Sequence, residues 1–163
     1  MLDADIQPCI LGIDPGASGA IAFYFPSRPK LISVEDVPTA AGEIDCATLA
    51  RRIAVMQPSM AVIEQVAARP GQGVVSMFRF GSAYGSVRGV VTALNVPMHL
   101  VSPQRWKKHF RLSADKEEAR ALALRLWPGS VHFSRKKDHG RAEAALIARY
   151  GAEVMLATLA GAA

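Results

Sequence analysis

The chain has 163 residues, half of them hydrophobic and a fifth charged. That is the length of one domain with enough apolar content for a core, which argues against a two-domain enzyme and against a disordered chain. Nineteen Lys and Arg stand against fourteen Asp and Glu, a net +5, a balance that favours a polyanionic partner without identifying it. The excess is local: residues 105–141 hold eleven basic residues and four acids, a net +7, and leave −2 for the remainder.

Residues 1–8 carry Asp3 and Asp5 where a signal peptide needs basic residues, and no apolar run approaches the ~18 residues of a membrane span. A soluble cytoplasmic protein with no membrane partner is expected. Residues 9–13 read as a strand, 14–19 as a Gly- and Pro-rich turn, and 20–25 and 31–37 as two further strands, together a meander. Asp45 then caps a helix whose apolar residues Leu49, Ile53 and Met56 recur at helical spacing until Pro58. A short buried strand at 60–63 ends on Glu64. The flexible stretch 67–73 leads into a helix at about 74–94, a fifth strand at 96–101, and helices at 114–127 and 139–160. The order βββαβαβαα implies a single α/β domain over 1–163, with a mixed five-stranded sheet, antiparallel at the meander and parallel beyond it, and helices on both faces.

Three local features carry further expectations. Cys9 and Cys46 lie in or beside apolar segments without C-x-x-C spacing, so both are expected as buried reduced thiols, not as zinc ligands or a disulfide. Gly81, Gly85 and Gly89 recur every fourth residue of one helix. Each costs about 1 kcal/mol against alanine, so the stripe should admit a close packing partner, within the monomer in preference to across a subunit interface. Phe78 and Phe80, beside Arg69 and Arg79, combine apolar rings with cations in a way that suits stacking on unpaired bases, with core packing as the competing role.

The acids stand in unusual places. Asp14 ends an apolar strand, where its plain role is to cap the turn at Pro15-Gly16, and Glu64 repeats the anomaly at the end of the fourth strand. Desolvated carboxylates need counter-ions, hydrogen bonds or a metal. Adjacent parallel strands ending in acids would bring both to the carboxyl edge of the sheet, where open α/β sheets bind ligands. Glu143 shares a helical face with Leu146, Ile147 and Tyr150, which turns it toward the sheet. His139 lies four residues before it, and Asp138 either caps that helix or faces the site. Converging carboxylates beside a basic surface suit hard cations. Two Mg²⁺ ions, about 3.5–4 Å apart, with Mn²⁺ as a substitute, can activate water on one side of a phosphodiester and stabilise the leaving oxygen on the other.

These residues resemble the RuvC-type Holliday junction resolvases of the RNase H-like superfamily over nearly the whole chain. Gly12-Ile13-Asp14-Pro15-Gly16 resembles the first catalytic strand and Val62-Ile63-Glu64-Gln65 the second acid. The segments 102–108 and 113–116 resemble the basic stretches that approach the junction, and 138–147 the terminal catalytic helix, nearest to the phage and chloroplast branches. The resemblance implies Asp14, Glu64, Asp138 and Glu143 as catalytic metal ligands. It also implies a homodimer that nicks two strands of a four-way DNA junction symmetrically. One departure matters: the bacterial branch commonly places its last two ligands three residues apart, and here that position is Gly140. The fourth ligand is then Asp138 or His139, with the resemblance favouring Asp138. Arg69, Arg79, Lys107, Lys108, Lys116, Lys136, Lys137 and Arg141 are the candidate DNA contacts.

Two other readings compete. A catalytically silent RNase H-like nucleic-acid-binding protein would keep the fold without needing the acids. An actin-like phosphotransferase also uses a G-I-D-x-G turn, but needs two such domains around a nucleotide, so no nucleotide cofactor is expected.

Overall fold

The structure, a computed structural model, describes residues 9–161; residues 1–8, with the Asp3 and Asp5 weighed above, lie outside them. The apolar meander forms as β1 (Ile10–Asp14), β2 (Ala20–Tyr24) and β3 (Ile32–Asp36), paired antiparallel with Ile10 opposite Tyr24 and Ala22 opposite Val34. β1 and β2 are buried almost end to end, as strands covered on both faces must be, whereas the edge strand β3 alternates buried and partly exposed residues. A small hairpin of β4 (Thr39–Ala40) and β5 (Glu43–Ile44), not foreseen from the sequence, follows. Asp45 caps α1 (Cys46–Met56) by accepting from Thr48 N. β6 (Met60–Glu64) pairs parallel with β1, α2 (Val74–Ala93) crosses back, and β7 (Met98–Val101) pairs parallel with β6. The five-stranded order β3-β2-β1-β6-β7 is the expected mixed sheet.

Side-chain alternation divides the core in two. Leu11, Ile13, Ile21, Phe23, Ala61 and Ile63 pack on Leu49 and Ile53 of α1 and on Val87 and Val91 of α2. On the opposite face, Ile10, Ala22, Met60 and Val62 meet α5 (His139–Tyr150), flanked by α3 (Pro103–His109) and α4 (Lys116–Leu126). Asp14 and Glu64 share the parity of Ile10 and Val62, so they belong to the α5 face. α5 lies against β1 so closely that a Cβ at Gly12 would fall 2.2 Å from Ala144 O and 2.3 Å from Ala148 N, which only glycine permits.

Several expectations need correction. α3 was not foreseen; Ser102 caps it by accepting from Arg105 N, and Pro103 occupies its first turn. The last helix does not run unbroken: α5 gives way to a wider π-helical stretch over Gly151–Leu156 and then α6 (Ala157–Gly161). Gly151 opens that stretch, and a Cβ there would fall 2.6 Å from Val62 Cγ2. Cys9 is buried, its thiol pushed up to about 12 by desolvation, but Cys46 begins α1 on its exposed side. An added Cβ at Gly81, Gly85 or Gly89 meets nothing within 4 Å among the described residues, so packing against them is not the reason for the stripe. Nor is Phe78 a core residue: it is 77% exposed, at the start of α2. No helix among the described residues is long and apolar enough to cross a membrane.

Candidate active site

The parallel register sets Ile13 opposite Ile63, so Asp14 and Glu64 follow as the next residues at one edge of the sheet. α5 passes over that edge. A Cβ at Gly140 would lie 3.1 Å from Asp14 Oδ2, so a side chain at this position would crowd the carboxylate. The position that carries a ligand in the bacterial branch is here the space Asp14 needs. One turn on, Glu143 is buried at 7% exposure.

The three acids interact. Burial, then the charges of Glu143 and Glu64, push the Asp14 carboxyl well above the ordinary carboxylate range, while Lys116 and Lys107 pull it back. Glu64 is also raised by burial, opposed by a hydrogen bond from Trp106 and by Lys107 and Arg69, with Glu143 adding to the rise. Lys107 Nζ lies 3.3 Å from Glu143 Oε1 and 5.3 Å from the centroid of the Trp106 ring. Trp106, wholly buried, donates its indole N–H to Glu64 Oε2 at 2.7 Å. Two basic side chains of the predicted set, on α3 and at the start of α4, thus act on the acids, as does Arg69 from the loop after β6.

Asp138 is placed differently. It ends a 3₁₀ turn, Lys136–Asp138, and its side chain is 1% exposed. Its oxygens accept from Arg135 N at 2.8 Å, Nε at 3.0 Å and Nη2 at 2.7 Å, and Arg141 Nη1 lies 4.0 Å away. Burial alone would raise this carboxyl, but the Arg135 hydrogen bonds and the charges of Arg135 and Arg141 outweigh it and hold it below the ordinary range. Arg141 also grips Asp36 at the end of β3 through Nε and Nη2, at 2.7 and 2.8 Å. His139 is partly exposed, with Nδ1 3.4 Å from Lys136 O. The structure therefore brings together Asp14, Glu64, Glu143, Lys107, Lys116 and Arg69. It leaves Asp138 and Arg141 in a separate ionic clamp, and Arg79, Lys108, Lys136 and Lys137 on the exposed surface.

Among the described residues, no three His, Cys, Asp or Glu side chains are gathered tightly enough to enclose a metal ion as they stand. The donor chemistry nevertheless fits a hard cation: behind burial, the charges of Glu143 and Glu64 raise the Asp14 carboxyl and that of Glu143 raises Glu64, and the ammonium of Lys107 offsets only part of this. Beside the acids, Phe80 reaches toward the turn after β1, its ring 3.2 Å from where a Gly16 Cβ would be. It also lines a cavity of about 130 Å³ with Val66, Ala67, Gln72, Met77 and Tyr84.

Trp106 and Arg135 are the residues that sequence reasoning passed over. The signal for Trp106 was available: an aromatic with one N–H, the fourth residue of the short helix that Ser102 caps and Pro103 begins, and next to a lysine. Its partner was not, because 42 residues separate it from Glu64.

The fold is similar to that of solved RuvC resolvases. A Thermus thermophilus RuvC solved in complex with a Holliday junction substrate superposes with a TM-score of 0.62 at 18% identity, covering 94% of this chain and 96% of that one. A further T. thermophilus RuvC structure gives 0.59 at 16% identity, covering 90% and 96%. The Fowlpox virus resolvase, in complex with its substrate Holliday junction DNA, gives 0.51 at 11%, covering 91% and 99%. In sequence, the chain is 34% identical over 84 residues to the chloroplastic Holliday junction resolvase MOC1 of Chlamydomonas reinhardtii. That stretch is 50% of this chain and only 10% of the chloroplast protein. No family model matches.

Proposed function

We propose that the chain is a divalent-metal-dependent endonuclease that resolves four-way DNA junctions. The observation that carries this reading is the meeting of Asp14, Glu64 and Glu143 at one sheet edge, ringed by Lys107, Lys116 and Arg69. Acids alone would repel a phosphodiester, and cations alone would bind it without cutting it. The likeness to junction-bound resolvases, in fold and in part of the sequence, supplies the substrate class.

Asp14, Glu64 and Glu143 would hold Mg²⁺ or Mn²⁺, with Asp138 as the fourth acid of the set once its pairing with Arg135 opens, and His139 as the alternative. Bound there, the cation would supply a water of lowered pKa and charge stabilisation for the leaving 3′ oxygen. The chain's own groups do the rest. Lys107 and Lys116 hold the scissile phosphate against the acids, and Arg69, Arg79, Lys108, Lys136 and Lys137 follow the flanking backbone. Arg141 joins them only by leaving Asp36. Phe78, exposed at the start of α2, is free to stack on a base unpaired at the crossover.

The working unit is proposed to be a homodimer, so that two sites meet two strands. What favours this is the open glycine stripe of α2 and Arg88 Nε on the same helix, buried with no hydrogen-bond partner among the described residues. The deciding experiment is cleavage of a synthetic four-way junction in Mg²⁺ or Mn²⁺, with Asp14→Asn and Glu64→Gln beside it. Paired nicks from the parent chain and none from the variants are expected. Binding without cleavage by the parent chain in either metal would replace the reading with that of a silent DNA-binding protein.

A further inference from the structure

We propose that Trp106 is the positioning residue of the metal site: its indole N–H fixes one oxygen of Glu64 while its ring face steers the Lys107 ammonium onto Glu143. This rests on the metal-dependent reading above and deepens it.

The packing role of Trp106 needs no nitrogen. It is fully buried, in the same core cluster as Val101, Ala119, Ala145 and Leu146, where a phenyl ring would serve for burial. A buried indole N–H must nonetheless find an acceptor. Trp127 shows the ordinary solution, donating to a backbone carbonyl, Pro29 O, at 3.1 Å. Trp106 instead donates at 2.7 Å to a carboxylate at the sheet edge, a short charge-assisted bond. Among the described residues no hydrogen bond reaches the other oxygen, Glu64 Oε1. A flexible glutamate on a strand end is thereby reduced to one orientation, with one oxygen held and one presented.

The ring does a second thing. Lys107 Nζ lies 5.3 Å from its centroid and 3.3 Å from Glu143 Oε1, so a cation–π contact and an ion pair define the ammonium's position together. One side chain is therefore linked to an acid on β6 by its edge and, through its neighbour, to an acid on α5 by its face. The support behind it is rigid. Ser102 and Pro103 fix the start of α3, and His109 at its end bonds Glu153 at 2.7 Å between the rings of Phe110 and Tyr150. Partners that orient metal-binding carboxylates in this way are commonly worth 10–100-fold in metal affinity or activity.

The chain has two tryptophans, so a ¹⁵N-labelled sample gives two side-chain indole signals, which Trp127→Phe or Trp106→Phe assigns. On addition of Mg²⁺ to the full-length protein, the Trp106 signal should shift and saturate while that of Trp127 stays in place. Glu64→Gln should displace the Trp106 signal before any metal is added. Trp106→Phe, which keeps a ring and removes the N–H, should raise the Mn²⁺ concentration for half-saturation by about 10-fold or more in calorimetry. A role in packing alone would lower the melting temperature and leave both metal readouts unmoved. The inference is overturned if the Trp106 signal ignores Mg²⁺ while calorimetry detects a site that Asp14→Asn abolishes, or if Trp106→Phe binds Mn²⁺ with parental affinity. If the parent chain shows no Asp14-dependent metal binding at all, the metal reading itself falls, and the inference falls with it.

Discussion

Replacing Gly12 with alanine tests the closest approach in the molecule. The added methyl would stand 2.2 Å from Ala144 O and 2.3 Å from Ala148 N. Carbon atoms come to rest at roughly 3.5 Å, so α5 must retreat from β1 by about 1 Å or more. The obstructing atoms are main chain, and no rotamer change removes them. Overpacking of this kind costs about 1–3 kcal/mol, and rigid contacts on both sides put Gly12→Ala at the upper end. At roughly 2–4 °C per kcal/mol for a domain near this size, the melting temperature should fall by about 6–12 °C. α5 also carries Gly140 and Glu143 over Asp14, and a displacement of about 1 Å at a reacting centre costs about 100-fold in rate. Thermal unfolding by circular dichroism and junction cleavage under single-turnover conditions read the two effects. Adding Ala148→Gly should not rescue the variant, because the clash at that residue is with its nitrogen and Cα. A melting temperature within about 2 °C of the parent, with full cleavage, would show that α5 does not rest on Gly12 as described.

Asp14→Asn should abolish cleavage and, in buffer free of divalent metal, raise the melting temperature at neutral pH. Burial with the charges of Glu143 and Glu64 raises the Asp14 carboxyl, so keeping it ionised opposes folding above that raised value. The gain should disappear below the ordinary carboxylate range, where folded and unfolded chains both hold the proton, and a neutral-pH loss of stability would contradict the coupling. Asp138→Ala should cost about 1.5–3 kcal/mol at neutral pH, the worth of hydrogen bonds to a charged group that Arg135 makes here. Its carboxyl is held below the ordinary range, so that stability is full above the range and is lost as pH falls through the lowered value. Urea unfolding of parent and variant at neutral and acid pH measures both, and equal stability at neutral pH would refute the clamp. Lys107→Ala and Lys116→Ala should each weaken junction binding and reduce the slope of log affinity against log salt by about one. An unchanged slope in fluorescence anisotropy would remove that lysine from the phosphate contacts.

The acids of the strands were legible because a carboxylate closing an apolar run is costly wherever the strand lies, and Glu143 because helical spacing ties it to Leu146 and Ile147. α3 escaped notice for the opposite reason. Its seven residues hold one buried side chain, Trp106, so it has no apolar period, and only Ser102 and Pro103 marked its start. The glycine stripe has one spacing and two meanings, and nothing in Gly81, Gly85 and Gly89 says whether the partner surface lies inside the chain. Cys46 shows the limit of reading apolar neighbours: the same helix buries Leu49 and Ile53 and turns its first residue outward.

Composition, period and turn residues by themselves determined the succession of strands and helices, the acid that closes each of two apolar strands and the basic last third, because each rests on local propensity or on spacing along one element. Only the tertiary structure decided which groups meet across elements. It placed Trp106 on Glu64, Lys107 on Glu143, and Gly140 in the space that Asp14 occupies. It also paired Asp138 with Arg135 in the 3₁₀ turn just before α5. Contacts between residues tens of positions apart depend on how close two backbones come, and here that distance is set by a glycine under a helix.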